Sequence, residues 1–173
     1  MSVEIRPYSE ELVRRFKDER TRLRAVLGNE VPIEHVGSSS VGIGGKNIVD
    51  ILVGANNREQ MKELCRVLST AGYFERHDSH PWRIFMASTP EGETGEGDFH
   101  IHICPVNEEE YAQVILLRDH LRKNPDKATE YFRKKKEITK LANYDRKTYK
   151  KIKNEYVANL ITEAKKKDAE NKR

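Results

Sequence analysis

Long apolar runs are missing from this chain: none approaches the ~20 residues that a membrane-spanning helix requires. The N-terminal stretch "MSVEIRPYSEELVRRF" carries acids within its first ten residues and has no apolar segment of the signal-peptide kind, so the cytoplasm is the expected compartment, with no membrane partner. Cysteine is scarce. Cys65 lies in a helical pattern and Cys104 in a strand pattern, and without metal-type spacing both read as small core residues rather than a disulfide. Aromatics make up only 8% of the chain, with a single tryptophan. The net charge of +4 comes mostly from "RKKKEITK" and "KKKDAENKR", which read as solvated helix faces; with so little aromatic interleaving, nucleic acid is not expected as a partner.

Several catalytic and phosphate signatures are absent as well. Counting back from Gly45-Lys46, the first glycine position of a Walker A loop is Ser40 and the residue after the lysine is Asn47, so that motif fails. The Gly42-Ile43-Gly44 run continues into a strand, which excludes a dinucleotide fingerprint. The serines at 38–40 lack a Gly-x-Ser-x-Gly elbow, and neither cysteine sits where a helix start would activate it.

What is present is 173 residues, 35% charged and 36% hydrophobic, enough for one domain with its own core. We expect a single domain over 1–168 and a frayed tail over 169–173. Ser9 can cap a helix running to about Leu27, with Leu12, Phe16, Leu23 and Leu27 near one face. "IEHV" and "NIVDILVG" read as strands, the second apolar enough to be central. Asn57 and Gln60 resemble a capping box that opens a helix closed by Gly72. "YFERH", "PWRIFMAS" and "DFHIHICPV" are further strand candidates, the last two separated by the Gly-rich "TPEGETGEG". Helices opened by Asn107, by Asn124 with Pro125, and by Asp145 complete the chain.

Between the first two strands, seven of the nine residues from Gly37 to Gly45 are Gly or Ser. A structural hairpin needs only two to five connecting residues, so this length and composition point to a ligand. Backbone N–H groups of such a loop can cradle an anion, with the hydroxyls of Ser38 and Ser40 as added donors and Lys46 as the charge. Asp50 stands in the following apolar strand. On "GDFHIHIC", strand alternation places Asp98, His100 and His102 on one face, where two imidazoles can chelate a divalent ion or contact a phosphate; otherwise they are half-exposed histidines of an edge strand. His35 either pins the loop backbone or faces the ligand, and the pin is the preferred reading. Trp82 reads as core, and Arg83 beside it as a core neighbour or a base-stacking group.

Gly37-Ser38, eleven intervening residues and then Asp50 resemble the nucleotidyltransferase superfamily of polymerase-beta type, whose second carboxylate position is occupied here by Leu52. Residues 50 and 52 share a strand face, so Asp50 alone cannot make a two-metal clamp. The stretches "IEHVGSSSVGIGGKNIVDILVG", "HIHIC" and "LLRDHLRKNPDKATEYFRKKKE" resemble the GrpB family, over roughly residues 3–165. His35, Gly37, Ser38, Ser40, Val41, Lys46 and Asp50 match that family's first motif; Ser39 replaces Thr, and Gly42 and Asn47 replace prolines, which loosens the loop.

The resemblance implies an α/β (α+β) fold: a mixed, mainly antiparallel sheet of about five strands flanked by helices, with a C-terminal helical extension. It implies a metal-dependent transfer of a nucleotidyl or phosphoryl group from a nucleoside triphosphate, or alternatively a non-catalytic module that binds a nucleotide. GrpB-like chains also occur fused to dephospho-coenzyme A kinase, which makes coenzyme A precursors a further ligand class. The residues so implicated are Asp50 and His102 in catalysis, Asp50, His100 and His102 around Mg²⁺ or Mn²⁺, and Gly37, Ser38, Ser40, Lys46 and Arg118 on phosphate.

Overall fold

The computed structural model describes residues 4–76, 79–89 and 98–171. The N-terminal helix α1 spans Glu11–Leu27, with Leu12, Phe16 and Leu23 buried as the periodicity predicts. Ser9 Oγ accepts from the Glu11 N–H at 3.3 Å, but Ser9 stands one position ahead of the cap, which is Glu10. Strand β1 covers Ile33–Val36, and the chain then turns directly into α2, a single helical turn over Gly37–Ser40. This corrects the sequence reading, in which those residues belong wholly to a loop: the Ser40 hydroxyl donates to the Gly37 carbonyl at 2.7 Å and closes the turn on itself.

Strand β2 (Val49–Ala55) is buried nearly throughout, and α3 (Arg58–Thr70) follows it. The Asn57 side chain accepts from the Gln60 N–H at 2.8 Å as a capping box requires; the return bond runs from the Asn56 N–H to Gln60 Oε1 at 2.6 Å, one residue earlier than the simple motif. Next come β3 (Phe74–Glu75), β4 (Ile84–Ala87) and β5 (Phe99–Pro105). His77 and residues 90–97, most of the expected Gly-rich connection, lie outside the described residues.

Helices α4 (Glu109–Lys123), α5 (Pro125–Leu141) and α6 (Arg146–Asn171) complete the chain. Pro125 takes the first helical position as expected, and Asp145 accepts from the Thr148 N–H at 2.8 Å. Two expected caps are not made. Glu108, not Asn107, holds the cap position of α4, and the Asn124 side chain instead donates to the His120 carbonyl behind it at 2.7 Å. Helix α6 continues to Asn171, into the stretch expected to fray, while 172–173 lie outside the described residues. No helix among the described residues is long and apolar enough to cross a membrane.

The sheet has the order β1-β2-β5-β4-β3, with β2 and β5 parallel and the other pairs antiparallel, so it is mixed and mainly antiparallel as expected. Alternation gives its two faces different company. Val49, Ile51, Val53, Ile101, Ile103, Ile84 and Met86 meet α1 and α3 in the main core. Asp50, Leu52, His100 and His102 belong to the other face, where Tyr111 and Ile115 of α4 pack on Val36, Leu52 and Cys104. Apolar clusters of Ile43 with Leu121, Ala128, Tyr131 and Leu160, and of Ile138 with Ala142 and Tyr149, tie α4, α5 and α6 together and to the Gly/Ser segment.

Candidate functional site

The β2–β5 register pairs Asp50 with His100 and Leu52 with His102, so the carboxylate and both imidazoles share one face at the centre of the sheet. The edge-strand reading of the histidines is thereby replaced: β5 is flanked by β2 and β4. His100 Nδ1 and His102 Nε2 each lie 3.7 Å from Asp50 Oδ1. Phe85 holds the pair, stacked on His102 at 5.1 Å between ring centres and edge-on to His100 at 5.0 Å. His100 Nε2 and His102 Nδ1 are buried without a hydrogen-bond partner, as is Arg83 Nε. Buried orphan nitrogens are unusual, and one on each of the two imidazoles that face Asp50 marks a polar site rather than packing.

Burial alone would raise the Asp50 pKa. The neighbouring His102 and His100 imidazoles and the Lys153 charge outweigh burial and hold it at about 2, so the group is a carboxylate at any physiological pH. For His102 burial dominates and lowers the pKa despite Asp50, with Arg83 and His100 adding to the effect, so this ring is neutral near pH 7. Asp98 is set apart from them. It lies at 3.5 Å from His100 Nε2, but it is fully buried and accepts from both the N–H and the hydroxyl of Ser88.

Gly37 lies directly against Asp50. Its φ is +70°, and a Cβ there would come within 2.9 Å of Asp50 Cβ. Only glycine permits both the conformation and the approach, which is the local reason for a glycine between strand and turn. The adjacent Ser38 hydroxyl accepts from Lys135 Nζ of α5, and the same ammonium donates to the Gly44 carbonyl at 3.0 Å. Lys135 is buried; burial first, then the charges of Lys153 and Lys46, hold its pKa down to about 7 against the pull of Asp50. Lys46 Nζ stands over the Tyr149 ring at 5.5 Å. The Gly/Ser segment is fixed from the other side by paired backbone bonds between Arg6 and Gly45, at 2.7 and 3.0 Å.

Lys153 of α6 has no counterpart in the sequence reading, and Lys135 appears there only as an ordinary helix lysine. Both interrupt apolar stripes, Tyr131–Lys135–Ile138 and Tyr149–Lys153–Tyr156, at spacings of four and three. A cation inside a helical stripe is the sequence signal that marks them.

The remaining candidates are placed differently. His35 is buried beneath the turn, where it stacks on Phe16 at 4.4 Å with Nε2 2.9 Å from Ser39 Oγ, so it holds the turn through a side-chain hydroxyl and not through the loop backbone as expected. Ser40 bonds within its own turn. Arg118 is engaged by Glu34 at 2.5 Å, by Asp119 at 2.9 Å and by the His35 carbonyl at 3.2 Å, beside β1. Trp82, expected in the core, is 37% exposed and stacks on His80. The two positions where glycine and asparagine replace prolines adopt φ of +78° (Gly42) and +60° (Asn47). Proline, fixed near −65°, could take neither, so the substitutions change the loop path and not merely its stiffness.

Among the described residues no group of three or more His, Cys, Asp or Glu side chains is arranged to hold a metal ion. Asp50 with two imidazoles is also a poor donor set for Mg²⁺, which favours oxygen ligands, and Leu52 supplies none. The two-metal clamp does not fit.

The model of the family described as GrpB protein matches residues 2–163. The chain belongs to the GrpB family. It is 29% identical to UPF0157 protein PA4798 of Pseudomonas aeruginosa, over 94% of this chain and 67% of that protein, and 28% identical to UPF0157 protein YqkA of Bacillus subtilis, over 79% of this chain and only 39% of the longer relative. The crystal structure of the conserved protein GrpB from Enterococcus faecalis superposes with a TM-score of 0.80 at 26% identity, covering 95% of this chain and 98% of that one. More distantly, the Cid1 RNA terminal uridylyl transferase (TM-score 0.53, 15% identity, 75% of this chain and 40% of that one) and GLD-2 in the GLD-2/RNP-8 complex (0.55, 14%, 83% and 57%) share the arrangement. This GrpB chain therefore has the nucleotidyltransferase fold of polymerase-beta type.

Proposed function

We propose that the chain binds a nucleoside triphosphate on the Asp50 face and transfers a nucleotidyl or phosphoryl group from it to an acceptor. The observation that carries this is the convergence of a glycine-backed carboxylate, Asp50, with Ser38 and the lysines Lys135, Lys153 and Lys46, contributed by the turn after β1 and by two separate helices. Surface lysines avoid burial unless paired, and here two of them face a single carboxylate. A polyanion would complete the charge balance. The lysines and Ser38 would take the phosphate oxygens, and fixed cations near phosphorus are the main catalytic device such a transfer requires. A divalent ion, Mg²⁺ or Mn²⁺, would arrive with the triphosphate and find Asp50 as its one carboxylate; its role would be charge neutralisation.

A second reading, nucleotide or coenzyme A precursor binding without chemistry, is favoured by one observation: Leu52 is packed in an apolar cluster where the superfamily pattern has its second carboxylate. Thermal-shift measurement with nucleoside triphosphates and coenzyme A precursors, each with Mg²⁺, Mn²⁺ or EDTA, paired with product analysis, separates the two. Transfer requires a metal-dependent shift and turnover that Asp50→Asn abolishes. Binding alone leaves a shift that persists in EDTA. No shift with any phosphorylated ligand rejects both.

A further inference from the structure

Away from Asp50, beyond the open edge of β1, a cleft of about 380 Å³ lies between α1, β1 and α4. Its walls carry Arg20 and Arg24 from α1 and Arg118 and Arg122 from α4, against two acids, Glu30 and Glu34. Arg118 is neutralised by Glu34 and Asp119. The other three guanidinium groups are differently situated. Arg20 stands over the Phe16 ring at 5.4 Å, Arg24 is exposed in the last turn of α1, and Arg122 donates through Nε to the Ser40 carbonyl at 2.9 Å. Arg20 and Arg24 are four residues apart, a spacing that sets two like charges side by side on one helix face. The nearby Arg118 charge also disfavours that of Arg122, secondary to burial.

The strand adds donors. The Gly54 N–H bonds to the Pro32 carbonyl at 2.9 Å, which fixes the alternation so that Glu34 and Val36 bond inward to β2. Ile33 and His35 then turn their backbone polar groups to the open edge, and Arg118 takes the His35 carbonyl there. The Ile33 N–H faces the same side as the cleft.

We propose that this cleft is a second anion site, which binds a phosphate group through Arg20, Arg24 and Arg122. It does not depend on nucleotidyl transfer at Asp50. Planar guanidinium forks suit phosphate oxygens in pairs, and the volume accommodates a mononucleotide or the phosphorylated end of a strand. Arg122 joins the cleft to the turn bearing Ser38, since it grips that turn at Ser40.

The test is calorimetric titration of the full chain with pyrophosphate, a nucleoside monophosphate, and a short RNA with and without a 5′-phosphate. Wild type, Arg24→Ala, Arg20→Ala and Lys153→Met are compared after circular dichroism has shown each to be folded. Arg24 is exposed, so its removal leaves the core intact, whereas Arg20 is half-buried over Phe16; Arg24→Ala therefore carries the test if Arg20→Ala unfolds. Each arginine variant is expected to weaken phosphate binding at least fivefold, while Lys153→Met leaves this site unchanged. Equal affinity for the monophosphate and the phosphorylated RNA identifies a free nucleotide as the source of the phosphate, and RNA binding tighter by tenfold or more identifies a nucleic-acid end; either supports the site. Phosphate binding that Lys153→Met abolishes and the arginine variants do not, or no binding at all, overturns it.

Discussion

Gly37 and Asp50 are in contact across the β1–β2 pair, so the carboxylate is positioned by a residue with no side chain. Gly37→Ala combines a left-handed backbone with a collision against Asp50 and is expected to lower stability by about 2–4 kcal/mol. Gly42 is the internal control: its φ of +78° is equally unfavourable, but nothing lies within 4 Å of a Cβ there, so Gly42→Ala is expected to cost only about 1 kcal/mol. Denaturant unfolding of both, and of Gly37→Ala combined with Asp50→Ala, isolates the contact. If the two single variants are equally destabilised, Asp50 does not press on position 37.

Lys135 gives a pH signature of ligand binding. Without ligand its pKa is held near 7, by burial first and by the neighbouring lysine charges. A triphosphate favours the ammonium, so at pH 8, where the free amine is mainly neutral, binding should take up close to one proton. At pH 6 the amine is already charged and uptake falls toward zero. Calorimetry in two buffers of different ionisation enthalpy measures this directly. Lys135→Met should eliminate the uptake, and uptake that survives in the variant assigns the proton to another group.

The sheet and the sharing of one face by His100 and His102 were legible because strand alternation depends only on sequence spacing; that Asp50 joins them rests on the β2–β5 pairing, which spacing within one strand does not reveal, and Asp98, expected beside them, is taken up by Ser88. The short helix at Gly37–Ser40 was not, since three serines after a glycine carry no helical preference and the turn exists through Ser40 and the packing of His35 against Phe16. The lysines of the site were hidden by their surroundings: Lys135 sits in a run of three lysines whose other members face solvent or an intermediate position, and only the Tyr131–Ile138 stripe distinguishes it. Arg118 carried the family pattern faithfully, but its partner Glu34 lies 84 residues away, which spacing does not reveal.

His35 makes the fold acid-sensitive. Burial holds its pKa at about 4, aided by Arg122 and Arg118 and opposed by Asp50, whereas the unfolded chain protonates it near 6.5. Between those values the unfolded state binds the extra proton, so stability is full above pH 6.5 and falls as pH drops toward 4, by up to about 3 kcal/mol. Unfolding free energies across this window for wild type and His35→Leu check the assignment. The variant should show a shallower slope; an unchanged slope places the titration on another residue.

Leu52 decides how much of a second carboxylate this face could accept. It is 1% exposed and packs with Val36 and Cys104 beneath Tyr111 and Ile115 of α4, so Leu52→Ala should cost about 2–5 kcal/mol. Leu52→Asp adds the burial of a charge and should be more destabilising still, with Mn²⁺ unable to restore the loss because α4 covers the position. Thermal unfolding with and without Mn²⁺ measures both effects. A folded Leu52→Asp protein whose melting temperature rises with Mn²⁺ would show that α4 yields and that the face can hold a metal through two carboxylates. An unfolded one, with Leu52→Ala destabilised but native, means that the helix packing itself, and not only one substitution, bars the two-metal arrangement here.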